Sequence, residues 1–200
     1  MVQSEIALER EPERAKVLDR LRAHGWNATS FQVLEPGFCY WFDESGAMAY
    51  VDTGGAWVAA GAPIAAEERL ATCASRFVRA ARDAGRRACF FGVEPRFLRS
   101  ADFASLLIGE QPVWDPRRVA DSRPVSKSLR EQLRRARAKG VEVRRLGAIE
   151  ISDAPGSRRR DIERLIERWS SRLTLAPMGF LVAVHPFHFV AEHRYFVAER

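Results

Sequence analysis

Cysteine is scarce in this sequence of 200 residues: Cys39, Cys73 and Cys89 are odd in number and outside any Cys-x-x-Cys spacing. That excludes a disulfide framework and a thiolate zinc site, and it makes a reducing cytosol the natural compartment. No apolar run approaches the roughly 20 residues of a transmembrane helix. The start, MVQSEIALEREPER, is too charged for a secretory signal. The sequence also lacks a GxGxxG run, a P-loop, a GxSxG elbow and an HExxH pair. Nucleotide cofactors and the common hydrolase mechanisms therefore have no support, and no cofactor is expected.

What the chain does have is a hydrophobic content of 46% and a formal charge of +6. The first is enough for a real core, and the second favours anionic partners. The charge is concentrated. From Arg117 to Arg145 there are eleven basic residues against Asp121, Glu131 and Glu142, a net +8 that leaves the rest of the chain at −2.

Periodicity and turn residues give the element order. A short helix from Glu13 to His24 turns Val17, Leu18 and Leu21 inward and stops at Gly25. The runs Ser30–Leu34, Phe38–Phe42, Ala47–Val51 and Ala56–Ala60 are separated by Gly-, Pro- and Asp-rich clusters, which predicts an antiparallel meander. Ala66–Ala84 then spaces Leu70, Cys73, Ala74, Phe77, Val78 and Ala81 on one helical face. Strands are predicted at Ala88–Val93, Phe103–Ile108, Val141–Leu146, Phe180–Val184 and Tyr195–Ala198, and helices at Ser128–Lys139 and Asp161–Leu173. Strands first, then helices alternating with strands, is an α+β or mixed α/β order.

Most of the chemical information lies in the helix from Lys127 to Gly140. Wound at about 100° per residue, Leu129, Leu133 and Ala136 form a narrow apolar stripe. Arg130, Arg134 and Arg137 line one flank, Arg135 and Lys139 the other, and Glu131 is the acid on the opposite side. Like charges at i, i+4 repel, so such a helix makes best sense beside phosphates. Lys127, Arg130, Arg134, Arg135, Arg137 and Lys139 are thus the candidate tRNA- or phosphate-binding residues. The bland alternative is a solvated helix face; a helix lying on an anionic membrane is a third reading, for which the stripe is thin.

Other motifs read as scaffolding. Asp52-Thr53-Gly54 matches an aspartic protease loop, but a single copy would demand an all-β homodimer, and Gly54-Gly55 suits a hairpin turn. His185 and His188 are ligand-spaced, yet Pro186 breaks a helix and no Cys, Asp or Glu stands beside them in sequence, so no metal site is assigned. Trp26, Trp41, Trp57 and Trp169 sit in apolar patterns as core candidates. Glu110-Gln111-Pro112-Val113-Trp114-Asp115-Pro116 is either a rigid connector or a binding segment.

The ordered series Thr29-Ser30-Phe31-Gln32, Pro36-Gly37-Phe38, Ala49–Gly54, Gly61-Ala62-Pro63, Gly109–Pro112, the Ser128–Gly140 basic helix, Ala176–Phe180 and Tyr195–Glu199 resembles the C-terminal domain of the phosphatidylglycerol lysyltransferase family. The resemblance runs from about residue 26 to the end, with 1–25 as a helical lead. It implies the first of two tandem modules of the acetyltransferase-like (GNAT) fold, a mixed sheet flanked by helices, and a bacterial membrane-lipid modification enzyme. The implied reaction moves a lysyl- or alanyl-class amino acid from aminoacyl-tRNA to phosphatidylglycerol, without cofactor or metal. The implied partners are aminoacyl-tRNA, an anionic phospholipid surface and a C-terminal module not contained in residues 1–200. The implied location is cytoplasmic, peripheral at the inner membrane. On this reading the chain is truncated at its C-terminal end, no catalytic residue is transferred to it, and residues 1–200 bind anions without transferring an aminoacyl group. Two alternatives stand beside it: a non-catalytic module binding anionic lipid or RNA, and a GNAT-type acyltransferase using acyl-CoA. The second lacks the usual Gly- and Arg-rich pyrophosphate loop.

Overall fold

The computed structural model describes residues 11–110, 117, 127–172 and 185–200, which fall into two compact units divided between Ile108 and Gly109. The first opens with α1 (Glu11–His24), whose Val17 and Leu21 are buried. Arg14 ties it to the next segment by donating from Nε to the Leu34 carbonyl at 2.9 Å. That segment, Ala28–Leu34, is a 3-10 helix and not the predicted strand. The cause is Asn27, whose side-chain oxygen accepts from the Ser30 amide at 2.8 Å and from its hydroxyl at 2.9 Å. An N-cap of this kind commits the backbone to helical turns against the β-preference of the residues that follow.

Three strands follow where the turn clusters predict them: β1 (Cys39–Phe42), β2 (Ala47–Asp52) and β3 (Ala56–Ala60), paired antiparallel in sequence order. The β1–β2 turn is locked by Asp43, which accepts from the Ser45 amide and hydroxyl and from the Gly46 amide. Burial pushes the Asp43 carboxyl upward, but the Ser45, Arg76 and amide donors together hold it below its ordinary value. Gly46 is there for want of space. A Cβ on it would stand 2.8 Å from that of Ala65 and 2.9 Å from the Ile64 carbonyl oxygen.

After β3 the chain crosses over through α2 (Leu70–Asp83) to β4 (Arg87–Phe91), which lies parallel to β3. Two parallel neighbours require such a crossover, whereas antiparallel ones need only a hairpin. The sheet order is β1-β2-β3-β4. Phe77 of α2, fully buried, has ring centroids of Trp41, Tyr50, Trp57 and Phe90 within 5.8 Å. A short helix, α3 (Pro95–Leu98), buries Phe97 against Phe90 at 5.1 Å. The predicted strand Phe103–Ile108 does not form. Only Phe103 packs, 5.2 Å from Phe90, and Leu106 and Leu107 are more than four-fifths exposed. Apolar composition alone does not make a strand.

The second unit contains α4 (Lys127–Ala138), β5 (Glu142–Arg145), α5 (Arg159–Ser170) and β6 (Phe196–Glu199). β5 and β6 pair antiparallel, and Leu146 and Ile151 are the buried hydrophobics of this unit among the described residues. Neither α4 nor α5 has a buried residue. Trp169 is 53% exposed and Trp26, in the first unit, 60%, so neither is the core residue its apolar setting predicts. Trp26 instead lies under the Arg96 guanidinium, 4.6 Å from the ring centroid. The expectations for Gln111–Pro116 and Phe180–Val184 lie outside the described residues. The α+β class, a mixed sheet flanked by helices, holds. No helix among the described residues is long and apolar enough to cross a membrane.

Candidate anion-binding helix

Composition starts α4 and a glycine ends it. Lys, Leu, Arg, Glu and Gln are good helix formers, and Gln132 donates to the Ser128 hydroxyl one turn back. At the far end Gly140 adopts φ +73°, its amide bonds the Arg137 carbonyl at 2.9 Å, and the Val141 amide bonds that of Ala136 at 3.1 Å. That is a left-handed glycine closure, and Arg135 and Arg137 in the last turn suit the negative end of the helix dipole.

All six predicted phosphate-binding residues sit on this helix or directly after it, and all are exposed. They do not form one uniform cluster. Glu131 lies between Arg134 and Arg135. It accepts two hydrogen bonds from Arg134, at 2.9 and 2.7 Å, and stands 3.5 Å from the Arg135 Nε. The Arg134 bond holds the Glu131 carboxyl below its ordinary value, so the acid stays charged. Lys127, Arg130, Arg137 and Lys139 have no carboxylate partner among the described residues. Arg130 and Arg137, about two turns apart, share one flank.

The adjoining strand is equally selective. Arg144 is taken by Glu150 at 2.8 Å and Glu199 at 3.3 Å, while Arg145, exposed, has no ion-pair partner among the described residues. Counting basic residues therefore overstates the available charge, and Glu131, expected on the side away from the arginines, instead pairs with Arg134 and Arg135 at i+3 and i+4. The apolar stripe is wet as well: Leu129 and Leu133 are 46% and 43% exposed. An extended, solvent-facing row of cations supplies charge and hydrogen-bond donors to phosphate. It brings no nucleophile or general base.

The rival chemistry is weaker. Asp52 accepts from the Gly54 amide at 2.8 Å, from Arg86 at 3.0 Å and from the Trp57 indole at 3.2 Å. The Gly54 bond first, then Arg86, holds its carboxyl low, which suits a hairpin brace and not a shared proton. Cys73 is fully buried, and burial, followed by the charge of Asp43, pushes its thiol up to about 11. It remains a protonated core side chain.

Comparison with known proteins agrees with the ordered motifs. Residues 18–186 match the family model described as phosphatidylglycerol lysyltransferase, C-terminal. The chain is similar in fold to the crystal structure of the C-terminal domain (DUF2156) of a putative lysylphosphatidylglycerol synthetase from Agrobacterium fabrum. The TM-score is 0.61 at 18% identity, over 94% of this chain and 61% of that one. No curated protein matches. The chain thus spans less than two thirds of the solved relative.

Proposed function

Because this chain belongs to the phosphatidylglycerol lysyltransferase C-terminal family, we propose that it serves transfer of a lysyl- or alanyl-class amino acid from aminoacyl-tRNA to phosphatidylglycerol, with α4 holding substrate phosphate. The observation that carries the phosphate assignment is the set of exposed cations, Lys127, Arg130, Arg137 and Lys139, that no carboxylate of the described residues neutralises. Arg130 and Arg137 form its centre, and Arg134 and Arg135 join it when phosphate displaces them from Glu131.

In the proposed reaction a glycerol hydroxyl of the lipid attacks the ester carbonyl carbon of the charged tRNA. A carbon–oxygen bond to the lipid forms, the one to the tRNA ribose breaks, and the hydroxyl proton ends on the ribose oxygen. The ester is already activated, so positioning and a proton acceptor supply most of the rate. A second module of the same fold, implied by the family, completes the pocket, and the domain works at the inner face of the membrane.

Filter binding of tRNA and flotation with phosphatidylglycerol vesicles across a salt series test the phosphate role. Each phosphate neutralised contributes roughly 0.7–0.9 to the logarithmic salt slope for nucleic acid. R130Q/R137Q is therefore expected to lower the tRNA slope by about 1.5, with the helix intact because Gln has similar propensity. Unchanged affinity and slope for both ligands, with both proteins folded, would return α4 to a solvated face. Lipid aminoacylation with charged tRNA tests the transfer itself: residues 1–200 alone are expected to give no turnover because the pocket needs the second module, and turnover by them would overturn that requirement.

A further inference from the structure

Pro186 precludes a helix at His185–His188, but it does not separate the two histidines. The His188 amide bonds the His185 carbonyl at 3.2 Å, so the four residues form one β-turn with proline at its second position, where its fixed φ is favoured. The turn puts the first and fourth side chains on one side. The imidazoles lie nearly parallel, 14° apart with centroids 5.1 Å apart, and their ring nitrogens come within 4.8 Å of one another.

The turn is held from behind by residues of the same unit. Tyr195 donates its hydroxyl to the Pro186 carbonyl at 2.5 Å and stacks on Phe187 at 5.6 Å. Arg159 covers Phe187, 4.7 Å from its ring centroid, and is itself fixed by Asp153 at 2.8 Å and Glu163 at 3.1 Å. Beyond the turn Phe189 takes φ +51°, a left-handed conformation a bulky residue seldom adopts. Each of these fixes the backbone that carries the two imidazoles.

We propose that His185 and His188 chelate one divalent transition-metal ion of the Ni²⁺, Cu²⁺ or Zn²⁺ class, with solvent or a bound anion filling its remaining positions. Imidazole suits these borderline cations, whereas Mg²⁺ and Ca²⁺ want oxygen. Metal–nitrogen bonds of roughly 2.0–2.1 Å place two tetrahedral ligands about 3.3 Å apart. The pair in the structure is wider than that, so loading draws the two rings together about their side-chain torsions. The Tyr195 hydroxyl and the Arg159–Phe187–Tyr195 stack act as positioning groups for the turn. Two imidazoles leave the ion's other positions to solvent or an anion.

Titration of the whole chain with Ni²⁺, followed by calorimetry, tests the pair, with Cu²⁺ electron paramagnetic resonance reporting the number of coordinated nitrogens. One ion per chain and two equivalent nitrogens are expected. H185Q and H188Q should each weaken Ni²⁺ by at least about tenfold, and Y195F by less, since outer groups cost roughly tenfold to a hundredfold only where they fix a ligand outright. H193Q, whose ring nitrogen is engaged with the Phe189 carbonyl at 3.1 Å, should leave affinity at the parent value. Circular dichroism of each variant confirms folding, which the exposed His185 makes straightforward. Absence of Ni²⁺ binding, loss in only one of the two histidine variants, or a single-nitrogen spectrum would each overturn the proposal.

Discussion

The two units solve the problem of holding a chain together by different physics. Of the buried hydrophobics among the described residues, all but Leu146 and Ile151 lie in the first unit. The second is stitched by ion pairs: Arg144 with Glu150 and Glu199, Arg158 with Glu199, Arg159 with Asp153 and Glu163, and Arg164 with Asp161. Apolar burial contributes about 25 cal/mol per Å², whereas an exposed ion pair contributes about 0–1 kcal/mol. The first unit can therefore serve as a rigid support. The second keeps its cations and amphipathic faces in water, where a ligand can reach them.

The largest effect that would test this contrast is at Phe77. Phe77→Ala removes the side chain around which four aromatic rings pack and is expected to cost about 3–5 kcal/mol in denaturant unfolding. Trp169→Ala, at a half-exposed position, should stay within about 0.5 kcal/mol. Equal losses would dissolve the distinction. Gly46→Ala comes next, at about 1–3 kcal/mol, because backbone at the Ile64 carbonyl must move to admit a methyl group.

Smaller effects sharpen the second unit. Glu199→Gln removes the acid shared by Arg144 and Arg158 and should cost less than about 1 kcal/mol, with hydrogen exchange rising at β5 and β6 and not in β1–β4. Glu131→Gln should leave stability nearly unchanged and raise affinity for tRNA or phosphatidylglycerol vesicles, because it frees Arg134 and Arg135. Weaker binding by that variant would mean that Glu131 orients those arginines for the ligand. The smallest effect is acidic. The lowered Asp43 carboxyl contributes stability that is present above its unfolded value, about pH 4, and is lost as pH falls through its folded value. Asp43→Asn should remove that acid dependence from the first unit's unfolding while leaving β5–β6 unaffected.

Where a feature depends on neighbours in sequence, the residues disclosed it. The β1–β3 meander follows from Asp43–Gly46 and Asp52–Gly55, α2 from its apolar period, and α4 from its composition. The basic helix, the core of the candidate site, was legible as a whole. Its division into free and paired arginines needed only the spacing of Glu131, a signal present but read too coarsely. Features that depend on remote partners were not legible. Nothing near Arg144 announces that Glu199 will claim it, and nothing in the apolar run Phe103–Ile108 says that it will not be a strand. The 3-10 turn at Ala28–Leu34 lies between these cases, since the β-prone residues predicted a strand and the cap at Asn27 that overrides them lies just before the run.

The pairing of β5 with β6 also bears on time. Arg145 must meet Phe196, a closure of about fifty residues, whereas β1 and β2 meet across a four-residue turn. With closure entropy growing as (3/2)RT ln n, the longer closure is dearer by about 2 kcal/mol, and among the described residues only Leu146 and Ile151 are buried hydrophobics of its unit. The meander and α2 should therefore assemble early and the β5–β6 ladder late. In the reverse direction that ladder should open before the meander, so the surface carrying Arg145 acquires its shape after the first unit's sheet and loses it before.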